Sequence, residues 1–259
     1  MLLPTVFMLW LSSLSGQARA EVGYSGARIW GLHSIVMKSE QQHREEIVRF
    51  GRLLHQMRLV AAMDGNLSIR LENGNILCTP TLMSKGLLEV DDLVIVDRQG
   101  KKLSGARDVS SEIAMHLLIY SKRADVGGVV HAHPPTATGF AAAGLALDRA
   151  LCAELVVTLG TVPLANYETP GTPELAAALA PLVPDHDAIL MANHGVVTYG
   201  VDLLTAYMNM ETVEHSAQIA LVAHLLGKQQ MLSDQHVDKL REIRSKFLAQ
   251  NHVMAHDKK

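Results

Sequence analysis

Apolar residues recur at helical spacing over residues 38–59, where Ile47, Val48, Phe50, Leu53, Leu54, Met57 and Leu59 mark one face of a first helix. The period then changes. Residues 66–71, Asn-Leu-Ser-Ile-Arg-Leu, alternate polar and apolar as a half-buried strand does. Residues 76–79 return after the Asn-Gly turn at Asn73-Gly74, which predicts a hairpin. Residues 93–97 are a further strand, closed by Gly100, and residues 111–122 read as a helix with Ile113, Leu117, Leu118 and Tyr120 on its apolar side. Four short apolar runs, 126–130, 155–158, 161–164 and 188–192, read as strands. Thr172-Pro173-Glu174 opens a helix with proline at its first position. Asp202 caps a long helix to about residue 226, Gly227 stops it, and a last helix covers residues 234–249.

Hairpin and strand-pair spacing of this kind predicts an α/β chain with a mixed or antiparallel central sheet and helices layered against it. A length of 259 residues suits one sizeable domain. Nothing linker-like divides the chain after Met37, so residues 37–259 read as one domain. Residues 1–36 read as an N-terminal extension expected to be poorly ordered. Leu2 to Leu11 is mostly apolar, and Ala18-Arg19-Ala20 is similar to a signal cleavage site. No Lys or Arg precedes that run, however, and Met37 stands directly before the first helix, so an upstream start is the preferred reading.

Composition narrows the function. The net charge of −3 carries no basic block, which gives no footprint for nucleic acid. The only cysteines, Cys78 and Cys152, sit in apolar surroundings without Cys-x-x-Cys spacing. They read as buried thiols in a reducing compartment, hence a cytoplasmic protein, or an exported one if residues 1–20 are a true signal.

His131-Ala132-His133 closes the run that begins at Val126, and residues two apart on a strand point the same way. His194, in Asn193-His194-Gly195, ends a second run, and Glu112 lies upstream in Ser110-Ser111-Glu112. With 13 histidines in the chain, any one alone is more often a surface or hydrogen-bonded residue. Three imidazoles and a carboxylate together can hold a divalent metal and leave room for substrate. Imidazole suits zinc, and also iron, copper or nickel. Glu112 alone would be a helix-dipole glutamate; beside three such ligands it becomes a candidate general base. His116, four residues on, reads as a supporting or packing residue, and His215 and His224 as ordinary ones. Asn66, Thr81, Ser110 and Ser111 offer an amide, hydroxyls and a helix N-terminus, a set that suits a phosphate or another anion. Tyr167, in a loop ahead of Pro170-Gly171, reads as a contact residue or a proton donor to a developing alkoxide.

Taken in order, Gly65-Asn66-x-Ser68, Thr79-Pro80-Thr81, Ser110-Ser111-Glu112, His131-Ala132-His133-Pro134 and Asn193-His194-Gly195 resemble the class II aldolase/adducin family of zinc-dependent sugar-phosphate aldolases and epimerases. The likeness is nearest to its L-fuculose-phosphate aldolase branch and covers roughly residues 40–226. It implies a three-layer α/β/α sandwich around a mostly antiparallel sheet, assembled as a homotetramer with sites at subunit interfaces. It implies one Zn2+ per subunit on His131, His133 and His194. Glu112 would be the fourth ligand at rest and the base when substrate arrives. Asn66, Thr81, Ser110 and Ser111 would hold the substrate phosphate. Tyr167 would protonate the leaving oxygen in a neighbouring subunit's site.

The implied reaction is retro-aldol cleavage of a ketose phosphate, such as L-fuculose 1-phosphate, to dihydroxyacetone phosphate and an aldehyde. The alternatives are L-ribulose-5-phosphate 4-epimerase or another phosphosugar lyase or dehydratase of the family. A non-enzymatic, adducin-like module is the reading from a different class. Two positions depart from the aldolase pattern. Leu82 stands where a glycine often follows Thr-Pro-Thr, with Lys85 expected to offset it by pairing with an anion, and no tyrosine follows Tyr207.

Overall fold

The alternating stretch becomes β1 (Asn66–Arg70), and the Asn-Gly turn returns it antiparallel into β2 (Ile76–Cys78), with Ser68 opposite Cys78. Gly74 sits at φ 81°, the left-handed conformation that such a turn requires and that glycine adopts without cost. A computed structural model describes residues 38–256, with side chains to residue 246. The expected extension at residues 1–36 lies outside the described residues.

Six further strands complete the sheet: β3 (Val94–Val96), β4 (Lys102–Ser104), β5 (Gly128–Ala132), β6 (Leu164–Ala165), β7 (Ala188–Met191) and β8 (Gly195–Gly200). Their order is β4-β3-β2-β1-β5-β8-β7-β6. Every neighbouring pair is antiparallel except β6 with β7, so the sheet is mixed and mostly antiparallel.

Seven helices are described: α1 (Glu40–Gln56), α2 (Ile113–Lys122), α3 (Pro135–Ala142), α4 (Ala153–Thr158), α5 (Pro173–Leu179), α6 (Leu203–Leu225) and α7 (Asp234–His256). Ser39 and Gln42 form a reciprocal capping box at the start of α1, and the Asp202 carboxylate accepts from Thr205 N at the start of α6. No described helix is long and apolar enough to cross a membrane.

The pleat divides the apolar residues between two cores. Val130 and Val196 join Ile47 and Leu54 of α1, Ala137 of α3 and Met210 of α6 on one face. Val129 and Val197 join Met115 and Ile119 of α2 and Leu179 of α5 on the other. Strand β5 is buried along its whole length, which explains why its sequence is a continuous apolar run rather than an alternation. The result is the expected α/β/α layering.

Four expectations change. Residues 155–158 are not a strand but belong to α4; a four-residue apolar run carries no period to decide between the two. Arg244 of α7 donates to the Val157 and Thr158 carbonyls, satisfying acceptors that the end of α4 leaves open. Of residues 161–164 only Leu164 enters a strand, while Val162 makes an isolated bridge with Leu147. Helix α2 begins at Ile113 rather than Ser111, leaving Glu112 at the cap position with φ −98° and ψ 12°. The last helix runs on to His256. Helix α3 and strand β4 have no counterpart in the pattern; Pro134-Pro135 reads as a breaker, yet proline suits a first helical turn. Both cysteines are free, Cys78 buried and Cys152 only half-buried.

Candidate metal centre

His131 sits on β5, where Asn66 of β1 and Val197 of β8 are its register partners on either side. Its Nδ1 lies 2.8 Å from the Val196 carbonyl oxygen. A carbonyl only accepts, so Nδ1 carries the hydrogen, and Nε2 of the neutral ring presents a lone pair to the site. His133 follows β5 directly, its backbone N–H donating to Leu59 O at 3.1 Å. A clamp lies just beyond. Glu214 of α6 accepts from Thr136 N at 3.1 Å and Ala137 N at 2.8 Å, capping α3 two residues after His133.

His194 is carried on the three-residue connection between β7 and β8. Asn193 supplies the positive φ of that turn (52°), a conformation that asparagine tolerates better than most residues. Gly195 supplies clearance. A Cβ there would stand 2.5 Å from His133 Cδ2, 2.7 Å from Ala132 O and 3.3 Å from His131 Cε1. Asn-His-Gly is therefore a turn residue, a donor and a gap, in that order.

The three imidazole rings stand 4.8–5.0 Å apart, centre to centre. His131 Nε2 is 3.1 Å from His133 Nε2 and 3.3 Å from Glu112 Oε2. Glu112 Oε1 is 3.2 Å from His194 Nε2, yet it is buried without a hydrogen bond of good geometry. Ligand atoms about 2.0–2.1 Å from one tetrahedral ion stand roughly 3.3–3.4 Å from each other. The observed separations are close to that spacing. One ligand atom from each histidine lies within 4.8 Å of the others, so the triad fits a divalent metal ion.

The electrostatics agree. Burial alone would raise the Glu112 carboxyl, but the charge and hydrogen bonding of His131 and His194 hold it far below the carboxylate range. Burial would lower His131, and Glu112 outweighs it and raises it. His133 is pushed down to about 3, first by burial and then by the charges of His131 and His194. Positive charge is concentrated beside Glu112, and His133 stays neutral.

Behind Glu112 runs a buried chain of polar groups. Asn66 Nδ2 donates to Glu112 Oε2 at 2.8 Å, and Asn66 Oδ1 lies 2.5 Å from His116 Nε2. His116 Nδ1 is 2.7 Å from Ser68 Oγ, which is 2.9 Å from the Tyr120 hydroxyl. His116 is thus linked to Glu112 through Asn66.

The expected anion set is less uniform. The Asn66 amide is committed to Glu112 and His116. Ser110 is buried, its hydroxyl accepting from Glu112 N at 3.3 Å. Thr81 is half-buried, with its N–H on Asp108 O, and Ser111 is exposed. Gly171, which follows the Tyr167 loop, approaches Ser111 so closely that a Cβ would meet the Ser111 carbonyl at 3.2 Å. Tyr167 itself is 53% exposed.

Lys85 departs from its expected role. Its ammonium is buried and donates to the Met63 and Met83 carbonyls at 2.9 and 2.5 Å, bracing two loops rather than reaching for an anion. Burial pushes it down to about 8, against the pull of Asp64 and Glu112. Leu82 adopts φ 54° with its side chain 75% exposed, so a residue with a Cβ holds a glycine-like conformation there. Asp64, with Oδ2 3.5 Å from His133 Nδ1, is a neighbour that the sequence does not announce. An acidic residue before a glycine reads as plain turn chemistry, and nothing local ties it to the site.

Comparison with known proteins agrees with this geometry. Residues 45–221 match the family model described as the class II aldolase and adducin N-terminal domain. The 5-deoxy-D-ribulose 1-phosphate aldolase of Bacillus thuringiensis serovar kurstaki is 33% identical over 202 residues, 77% of this chain and 94% of that one. The 3-oxo-tetronate 4-phosphate decarboxylase of Escherichia coli K12 is 36% identical over 189 residues, 71% of this chain and 89% of that one. A solved L-fuculose 1-phosphate aldolase superposes with a TM-score of 0.74 at 31% identity, over 80% of this chain and 97% of that one. The chain belongs to the class II aldolase and adducin family, and it is an enzyme of that family.

Proposed function

We propose that this enzyme is a zinc-dependent lyase that breaks the bond between the carbons α and β to the carbonyl of a small phosphorylated sugar, by retro-aldol cleavage. The observation that carries the reading is the convergence of His131, His133 and His194, with ligand atoms within 4.8 Å of one another and the Glu112 carboxylate 3.3 and 3.2 Å from His131 and His194. A divalent cation held there supplies positive charge beside the oxyanion that forms when the bond breaks. Glu112, ionised and hydrogen-bonded by Asn66, takes the proton from the substrate hydroxyl as the base. Tyr167, exposed on the loop of a neighbouring subunit of a homotetramer, returns a proton to the enediolate carbon that the broken bond leaves behind. Thr81, Ser110 and Ser111 hold the phosphate, and the Asn66 amide hydrogens are freed for it when Glu112 leaves its resting position.

A second reading is favoured by a specific observation: the decarboxylase relative is as similar as the aldolases. Loss of carbon dioxide from a 3-oxo acid and retro-aldol cleavage both leave electrons beside a carbonyl, so one site serves either. The deciding experiment compares three substrates with and without a chelator. Dihydroxyacetone phosphate would be followed from L-fuculose 1-phosphate and 5-deoxy-D-ribulose 1-phosphate, and carbon dioxide from 3-oxo-tetronate 4-phosphate. Chelator-sensitive release of dihydroxyacetone phosphate supports the aldolase reading. Carbon dioxide release alone moves the assignment to decarboxylase, and silence on all three removes both.

A further inference from the structure

The chain of polar groups behind Glu112 has a direction, and that direction is fixed by chemistry. A carboxylate only accepts, so the Asn66 atom 2.8 Å from Glu112 Oε2 is the NH2 group. The amide oxygen then faces His116 Nε2 at 2.5 Å, and Nε2 must carry the hydrogen. His116 is buried, and burial, then the charge of His131, push it down to about 3, so the ring is neutral and Nδ1 is bare. Ser68 therefore donates to Nδ1, and its oxygen accepts from Tyr120. Every link donates toward Glu112.

We propose that His116 is a positioning residue for Glu112: its Nε2–H locks the Asn66 side chain with the amide hydrogens aimed at the carboxylate. This rests on reading Glu112 as resting ligand and base. With the amide flipped, the Asn66 oxygen would meet the Glu112 oxygen and push the carboxylate out of line with His131 and His194. The chain does not move protons, because a primary amide does not relay them at neutral pH. Its effect is orientation, delivered from Tyr120 through Ser68 and His116 to one oxygen of the carboxylate. Such supporting groups typically contribute about 10–100-fold in metal affinity or activity.

The test has two arms on the full-length, zinc-loaded protein. In the first, nitrogen-15 NMR of histidine-labelled protein, with His116 assigned by its loss in His116→Gln, reads the tautomer. The expected result is an Nε2–H ring that does not titrate between about pH 5.5 and 9. An Nδ1–H ring overturns the proposal. In the second, His116→Gln keeps an amide donor at the right reach, and His116→Met removes it while filling the space. Zinc loss to a chromophoric chelator is expected to be about tenfold faster in the Met variant and within about threefold of wild type in the Gln variant. In an assay that the wild type supports, kcat should fall with KM little changed. Equal zinc loss in both variants and wild type overturns the proposal, as does an equal defect in both variants. If the wild type cleaves none of the three substrates, the functional reading fails alone, because the tautomer and the rate of zinc loss are both measured without turnover.

Discussion

His131 and His133 point their Nε2 atoms at each other across 3.1 Å, and the Nδ1 hydrogen of His131 is already committed to Val196. Two such lone pairs stay together only around a proton or a metal. In metal-free protein the proton sits on His131, raised by Glu112, while Glu112 itself is lowered by the histidines.

The sign of the pH dependence follows. A raised histidine stabilises the fold fully below its unfolded value of 6.5, and loses that contribution as pH rises through its folded value. The lowered Glu112 contributes above 4.5 and loses it only as pH falls through its much lower folded value. The metal-free pair is therefore most stabilising between about pH 4.5 and 6.5 and fades as the solution becomes alkaline. Added zinc should show the opposite trend, because it needs bare nitrogens. The zinc-induced rise in Tm, measured by calorimetry, is expected to grow from about pH 5.5 to about pH 8. A zinc effect that shrinks over that range would count against a histidine-bound ion.

Gly195→Ala should damage the site more than the fold. The added methyl would meet His133 Cδ2 at 2.5 Å and the Ala132 carbonyl at 2.7 Å, so ring and backbone must both give way. Zinc per chain after dialysis should drop at least about tenfold. The secondary structure seen by circular dichroism should be unchanged. Full zinc occupancy in the variant would show that the triad has slack that these distances deny.

Leu82→Gly tests a conformation. A left-handed non-glycine residue costs about 1–2 kcal/mol, and glycine loses about 0.5–1 kcal/mol in chain entropy. The net expectation is a gain of about 0–1.5 kcal/mol, read from chemical denaturation. If Thr81 and its neighbours hold the substrate phosphate, KM should shift while zinc content does not. A large loss of stability would mean that the exposed Leu82 side chain packs against something in an assembly.

Tyr167→Phe should leave Tm unchanged, since the ring is 53% exposed in one chain. Removing a proton donor typically costs about 10²–10⁴-fold, so kcat should fall within that range. Normal turnover would take Tyr167 out of the chemistry.

The sheet and the histidine triad are legible in the sequence because they rest on period and spacing. His131 lies on β5 and His133 one residue past its end, two apart as the spacing predicts, and Asp202 caps α6 as its sequence says. What stays hidden depends on distant partners. Nothing around residues 153–158 announces that Arg244, far along the chain, will close α4. Nothing around Asn66 announces that the fold will set it between Glu112 and His116. Lys85 looks like an anion partner until the Met63 and Met83 carbonyls enclose it.

Strand β5 has a neighbour on each side and a core on each face. His131 therefore belongs to the slowest-opening part of the molecule, where backbone hydrogens exchange only when the whole domain unfolds. Glu112 stands at a helix boundary, a class of backbone position that in general opens more readily than a central strand. On the proposed reading the two kinds of ligand would live on separate clocks, His131 as permanent as the fold and Glu112 free to let go on the timescale of turnover.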